Sequence, residues 1–168
     1  MGIFLWYGYE KPFVARAQAI VDAGFRAASL WWEEEEERTP LENLALLRQK
    51  GLEILHVHLP FSQEGRLWMT EDKRKIYEAK MIQWLEELHE GEVAKAVFHP
   101  WEKDEMEKKD LVLAGGLETF ERILQRAEEL GVTLAAENLW QDEVLFALLD
   151  HFPSLGLCLD TGHLGISG

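Results

Sequence analysis

The sequence predicts an α/β fold of (β/α) barrel type, a parallel sheet carrying six of the eight strand–helix units that a closed barrel has. Three observations predict it. Short, β-prone apolar runs alternate with helical stretches along the whole chain, and parallel strands need such crossover connections. The runs are continuously apolar, as strands covered on both faces must be. Most helical stretches close on a glycine, the residue that most easily adopts the left-handed backbone that stops a helix.

The elements follow in order. Ile3 to Tyr7 reads as a first strand, because this start lacks a basic flank and is too short for a signal peptide or a membrane span. A helix near Lys11 to Ala23 has Pro12 in its first turn and Gly24 past its end. After the strand Ala27 to Trp31, the acidic run Glu33 to Glu37 reads as a solvated loop or helix start. Thr39 and Glu42 make a capping box for a helix from Pro40 to Lys50, closed by Gly51. The strand Glu53 to His58 precedes a long helix, Glu71 to His89, lying between Thr70 and Gly91. Val93 to His99 is the fourth strand, and the charged stretch Glu102 to Asp110 reads as an exposed insertion over the rim. A helix from Leu117 to Leu130 ends at Gly131, and the strand Val132 to Glu137, the helix Asp142 to His151 and the strand Leu155 to Asp160 complete the pattern.

No composition shift marks a boundary, so residues 1–168 read as one domain. The chain reaches Gly168 just past the sixth strand, whereas an eight-stranded barrel typically takes roughly 250 residues. The expectation is a C-terminally truncated barrel with open sheet edges, which favour a homo-oligomer.

At 168 residues and 47% hydrophobic composition, the chain can bury a sizeable core. Its formal net charge of −14 repels phosphate backbones and argues against nucleic-acid partners. The single cysteine, Cys158, excludes a disulfide framework and a thiolate metal cluster, and points to a reducing cytoplasm.

Chemistry concentrates at the strand ends. His58, His99, Glu137 and Asp160 close four successive apolar runs, so all four belong on the rim where barrel enzymes gather their catalytic groups. Imidazole and carboxylate converging there suit a divalent ion such as zinc or manganese. His56 shares the face of His58 by period-two alternation and is a candidate to orient it. Trp6, Trp31, Trp101 and Trp140 fall at or just after strand ends, where indole faces can stack on a sugar's C–H face or exclude water; covering the top of the core is the competing role. Asn138 is a candidate to hold the lip of the site. His89 and His151 lie near helix C-termini and read as structural.

Together, His58-Leu59-Pro60-Phe61, His99-Pro100, Ala136-Glu137-Asn138 and Leu159-Asp160-Thr161-Gly162-His163 resemble the xylose isomerase-like TIM barrel superfamily, which holds sugar isomerases and epimerases and also endonuclease IV. The resemblance covers nearly all the chain. It implies that Glu137 and Asp160 ligate the principal metal, and that His58 and His99 hold a further metal with Glu137. It implies that His163 contacts substrate or another metal, which makes Glu137 and His163 the candidate catalytic residues. The superfamily also draws a histidine from strand seven and a glutamate from strand eight, so the resemblance implies an incomplete principal site here. Ser29 stands where many epimerase-like members carry a glutamate.

The function implied is a metal-dependent isomerase or epimerase acting on a sugar or sugar phosphate, by proton transfer beside a metal-polarised carbonyl. An endonuclease IV-like phosphodiesterase and a non-catalytic remnant are the alternatives.

Overall fold

In the computed structural model, which describes residues 2–5, 10–61, 64–101, 113–139 and 142–164, six parallel strands form one sheet in sequence order. They are β1 (Gly2–Phe4), β2 (Ala27–Trp31), β3 (Glu53–His58), β4 (Lys95–Phe98), β5 (Thr133–Glu137) and β6 (Gly156–Cys158). Between them run α1 (Phe13–Asp22), α2 (Pro40–Gln49), α3 (Glu71–Glu90), α4 (Leu113–Glu129) and α5 (Asp142–His151), with α6 (Thr161–Leu164) after β6 and a 3-10 turn at Glu64–Trp68. Sequential parallel pairing is the barrel pattern the sequence predicts, with six strand–helix units. Among the described residues no helix is long and apolar enough to cross a membrane. Trp6, Trp140 and the stretch Glu102 to Asp110 lie outside the described residues.

The helices cover the sheet with apolar stripes of three- and four-residue spacing. Phe13, Ala17 and Ile20 of α1, Tyr77, Met81, Trp84, Leu85 and Leu88 of α3, and Phe120, Ile123, Leu124 and Ala127 of α4 are all buried in one core. The Thr39–Glu42 capping box forms as expected: the Thr39 hydroxyl accepts from the Glu42 amide, and the Glu42 carboxylate accepts from the Thr39 amide. Gly24, Gly51 and Gly131 adopt φ of +85°, +78° and +71° at the ends of their helices. The end of α3 differs. There Glu92, at φ +53°, takes the left-handed turn. Gly91 instead permits close packing, since a Cβ on it would lie 2.8 Å from Leu44 Cδ2.

The acidic run is a solvated loop, as expected, with Glu33, Glu34, Glu36 and Glu37 exposed, and it is also a structured turn. Glu36 and Glu37 sit at φ of +52° and +60°, and a short antiparallel bridge joins Glu35 to Arg38. Arg16 of α1, only 4% exposed, pairs with Glu35, while Glu36 accepts from the Phe13 amide at 2.9 Å and from Arg38 at 2.6 Å. These contacts tether the turn to the start of α1.

Register decides what faces the barrel interior. His58 pairs with Val97, Val97 with Ala135 and Ala135 with Gly156, so these positions share one inward level, which Gly156 leaves without a side chain. Two residues further on, alternation brings His99 and Glu137 inward, with Cys158 beside Glu137. Between β2 and β3 the register slips: Ala28 pairs with Ile54 but Leu30 with Val57. One extra residue on β3 therefore bulges the strand just below His58, a device that re-aims side chains near functional sites.

Candidate metal centre

The small inward residues of β4 to β6 leave room above them. A cavity of about 940 Å³ opens at the carboxyl ends of the strands, with Trp31, His56, His58, His99, Trp101, Glu137, Asp160 and His163 among its walls. Glu137 stands at its centre. Its Oε2 atom lies 2.8 Å from His58 Nε2 and 3.3 Å from His99 Nε2, and its Oε1 atom lies 3.5 Å from His163 Nδ1. Asp160 Oδ2 is 4.0 Å from the same His163 nitrogen. Side-chain exposure is 6% for Glu137, 12% for His58 and 15% for His99.

Two sets of ligand atoms result, His58–His99–Glu137 and Glu137–Asp160–His163, and within each set all the atoms lie within 4.8 Å of one another. Ligands about 2.0–2.1 Å from a tetrahedral zinc ion stand roughly 3.3 Å apart. The nitrogen and oxygen donors are thus already near the spacing of a coordination shell, and their chemistry fits a divalent ion. The His58 ring adds a second indication. Its Nδ1 faces the Leu59 carbonyl at 2.7 Å while Nε2 faces the Glu137 carboxylate. A neutral imidazole has only one N–H, so a proton or a metal ion must stand between Nε2 and the carboxylate. Carbonyl-anchored tautomers of this kind are usual in metal-bound histidines.

Burial alone would raise the Glu137 carboxyl, but the hydrogen bonds from His58 and His99 outweigh it and hold the group well below the usual carboxylate range. The carboxyl stays ionised, as a ligand must. Burial depresses both His99 and His56, which favours neutral imidazoles. Cys158, beside Glu137 in register, is pushed up to about 11 by burial and by the Glu137 and Asp160 charges.

The four strand-end residues expected to converge do so. His163 joins them, its Nδ1 also 2.8 Å from the Asn138 carbonyl oxygen. His56 does not orient His58; its Nδ1 lies 3.3 Å from the Ser29 hydroxyl, and the Leu59 carbonyl holds His58 instead. Asn138 is 4% exposed, and its amide is committed to the Asp160 backbone, donating to the carbonyl at 3.0 Å and accepting from the N–H at 2.6 Å. It clasps the loop that carries Asp160 and His163 rather than reaching across the cavity. Trp31 stacks flat on His58, with centroids 5.0 Å apart and planes at 17°. Trp101 lines the cavity wall but is 2% exposed, and its indole N–H has no partner among the described residues. Sequence reasoning assigned no role to Phe61, whose ring lies 4.8 Å from His99 and 3° from parallel with it. Its place three residues after His58 was the available signal.

Comparison with known proteins matches this architecture. A D-tagatose 3-epimerase-like protein superposes with a TM-score of 0.78 at 22% identity, over 99% of this chain and 67% of its own. The D-psicose 3-epimerase of Clostridium cellulolyticum, solved with D-tagatose, gives 0.73 at 18% identity, over 98% and 64%. A Thermus thermophilus protein soaked with zinc chloride gives 0.66 at 24%, over 97% and 66%. The chain therefore spans about two thirds of the length of these structures, and at such identities the likeness is one of fold. No curated protein matches it significantly. A family model described as xylose isomerase-like TIM barrel matches residues 17–168, nearly the entire chain, and the chain belongs to that family.

Proposed function

We propose that this chain is the metal-binding part of a divalent-metal sugar isomerase or epimerase, and that its substrate is an unphosphorylated sugar. The observation that carries this reading is the position of Glu137, shared between two ligand sets at the centre of the rim cavity. Sugar 3-epimerases among the structural relatives, including an L-ribulose 3-epimerase at a TM-score of 0.74 and 15% identity, support the reaction class.

His58, His99, Glu137 and Asp160 would hold the ion. A bound divalent ion, zinc or manganese by its ligands, supplies polarisation of a carbonyl and its neighbouring hydroxyl. Glu137 Oε2, which faces His58 and His99, would serve the ion, and Oε1, turned away from both, is the atom we assign to proton transfer at carbon. His163 holds a substrate hydroxyl. Trp31 and Trp101 wall the cavity and keep water from the reacting carbon. The described lining carries Glu33, Glu34, Glu35, Glu137 and Asp160 but neither lysine nor arginine, a field that disfavours a phosphate group. The free thiol of Cys158 fits a reducing cytoplasm.

The two-histidine set favours a second reading. Two ions bridged by Glu137 would suit phosphodiester hydrolysis, as in endonuclease IV-like enzymes, but the acidic lining weighs against it.

The test is proton exchange. Incubation with ketohexoses and Mn²⁺ or Zn²⁺ in D₂O should place deuterium at the carbon next to the carbonyl, read by NMR. Metal-loaded protein that exchanges no deuterium into any ketohexose, yet cleaves a phosphodiester, would transfer the assignment to hydrolysis.

A further inference from the structure

We infer that Trp31 and Phe61 are positioning residues of the metal centre, and that the face of Phe61 sets how tightly the chain holds a divalent ion. The inference rests on the metal-binding reading above. Four rings form a closed cycle around His58 and His99. Trp31 stacks on His58 at 5.0 Å and 17°; His58 meets His99 edge-on at 4.9 Å and 88°. His99 stacks on Phe61 at 4.8 Å and 3°; Phe61 meets Trp31 edge-on at 4.7 Å and 80°. Stacked and perpendicular contacts alternate around the ring, and both are favoured arrangements of aromatic faces and edges. Rotation of either imidazole about its own axis breaks two of these contacts at once.

The two histidines depend on the cycle unequally. His58 has a polar anchor as well, the Leu59 carbonyl at 2.7 Å from Nδ1. For His99 no hydrogen bond to Nδ1 exists among the described residues. A metal-bound histidine ordinarily fixes its plane through that second nitrogen. Here the parallel phenyl face does so, leaving Nε2 aimed at Glu137 Oε2, 3.3 Å away. Phe61 can serve because its stem is rigid. Leu59 donates to the Val97 carbonyl at 2.8 Å, Leu59 and Pro60 are buried, and proline fixes its own φ and restricts the residue before it. Phe61 is 46% exposed, so core packing does not account for its placement.

The experiment is titration with Co²⁺, followed by its visible absorption, and with Zn²⁺, followed by calorimetry. Phe61→Ala should keep the far-UV circular dichroism of the parent, weaken metal binding about tenfold or more, as loss of an outer orienting group does, and alter the Co²⁺ band. Phe61→Tyr should restore affinity and spectrum. Trp31→Leu should cost less, because His58 keeps its carbonyl anchor. A folded Phe61→Ala variant with unchanged affinity and an unchanged Co²⁺ spectrum would overturn the inference, while binding still lost in Glu137→Ala would leave the metal centre itself standing. Parent protein that takes up neither ion would sink both.

Discussion

His58 Nε2 lies 2.8 Å from Glu137 Oε2 across 79 residues of sequence. The two residues come from strands that flank β4, and both face inward because register places them on the same side of the pleat. The contact leaves the His58 ring between two acceptors, an arrangement that a cation between Nε2 and the carboxylate would satisfy.

Glu137 belongs to both ligand sets, so its removal should act on both. Glu137→Ala is expected to abolish zinc binding, measured as metal per chain by elemental analysis and as heat by calorimetry. His99→Ala should spare the Glu137–Asp160–His163 set, and Asp160→Ala should spare the other. Tight one-to-one binding that survives Glu137→Ala would move the site elsewhere.

Binding to DNA should be negligible at physiological salt, because the chain carries a formal charge of −14 and phosphate contacts dominate such affinity. Fluorescence polarisation with an abasic duplex checks this. Micromolar or tighter binding with cleavage dependent on His99 and Glu137 would reverse the order of the two functional readings.

Open edges should make this chain self-associate. In the described sheet β1 pairs only with β2 and β6 only with β5, and unpaired strands are templates for another chain. Leu157 and Leu159 at the β6 side are 53% and 60% exposed. Sedimentation at micromolar concentration should show a dimer or larger species, shifted toward monomer by Leu157→Lys. A monomer at all concentrations refutes this.

The α2 cap offers a pH-dependent stability test. Thr39→Ala should cost about 1 kcal/mol, the usual worth of an N-cap. Hydrogen bonds from the Thr39 amide and hydroxyl lower the Glu42 carboxyl. A carboxyl lowered on folding adds stability above its unfolded value and loses it as pH falls through the lowered one. The advantage of the parent over Glu42→Gln should therefore be present at neutral pH and fade in acid. Urea melts at several pH values measure it, and an advantage that grows in acid would contradict the cap assignment.

Local sequence determined the elements and the inventory of the site. Apolar runs, helix-closing glycines and the Thr39–Glu42 box act within a few residues, so they are readable in one dimension. Placing His58, His99, Glu137 and Asp160 at strand ends was enough to assign them to one rim, since every parallel strand presents its carboxyl end to the same side. Tertiary structure decided the rest. Which nitrogen meets which oxygen depends on register between strands, and the extra β3 residue below His58 shifts that register without a local signal. The Leu59 carbonyl displaces His56 as the anchor of His58 because hydrogen-bond distance, not strand face, selects the partner. Asn138 turns to the Asp160 backbone because its buried amide needs both a donor and an acceptor there. The tether between the acidic turn and Arg16, and the stacking of Phe61 on His99, join residues far apart in sequence. Only the packing of β1 to β4 and their loops brings those groups within reach of one another.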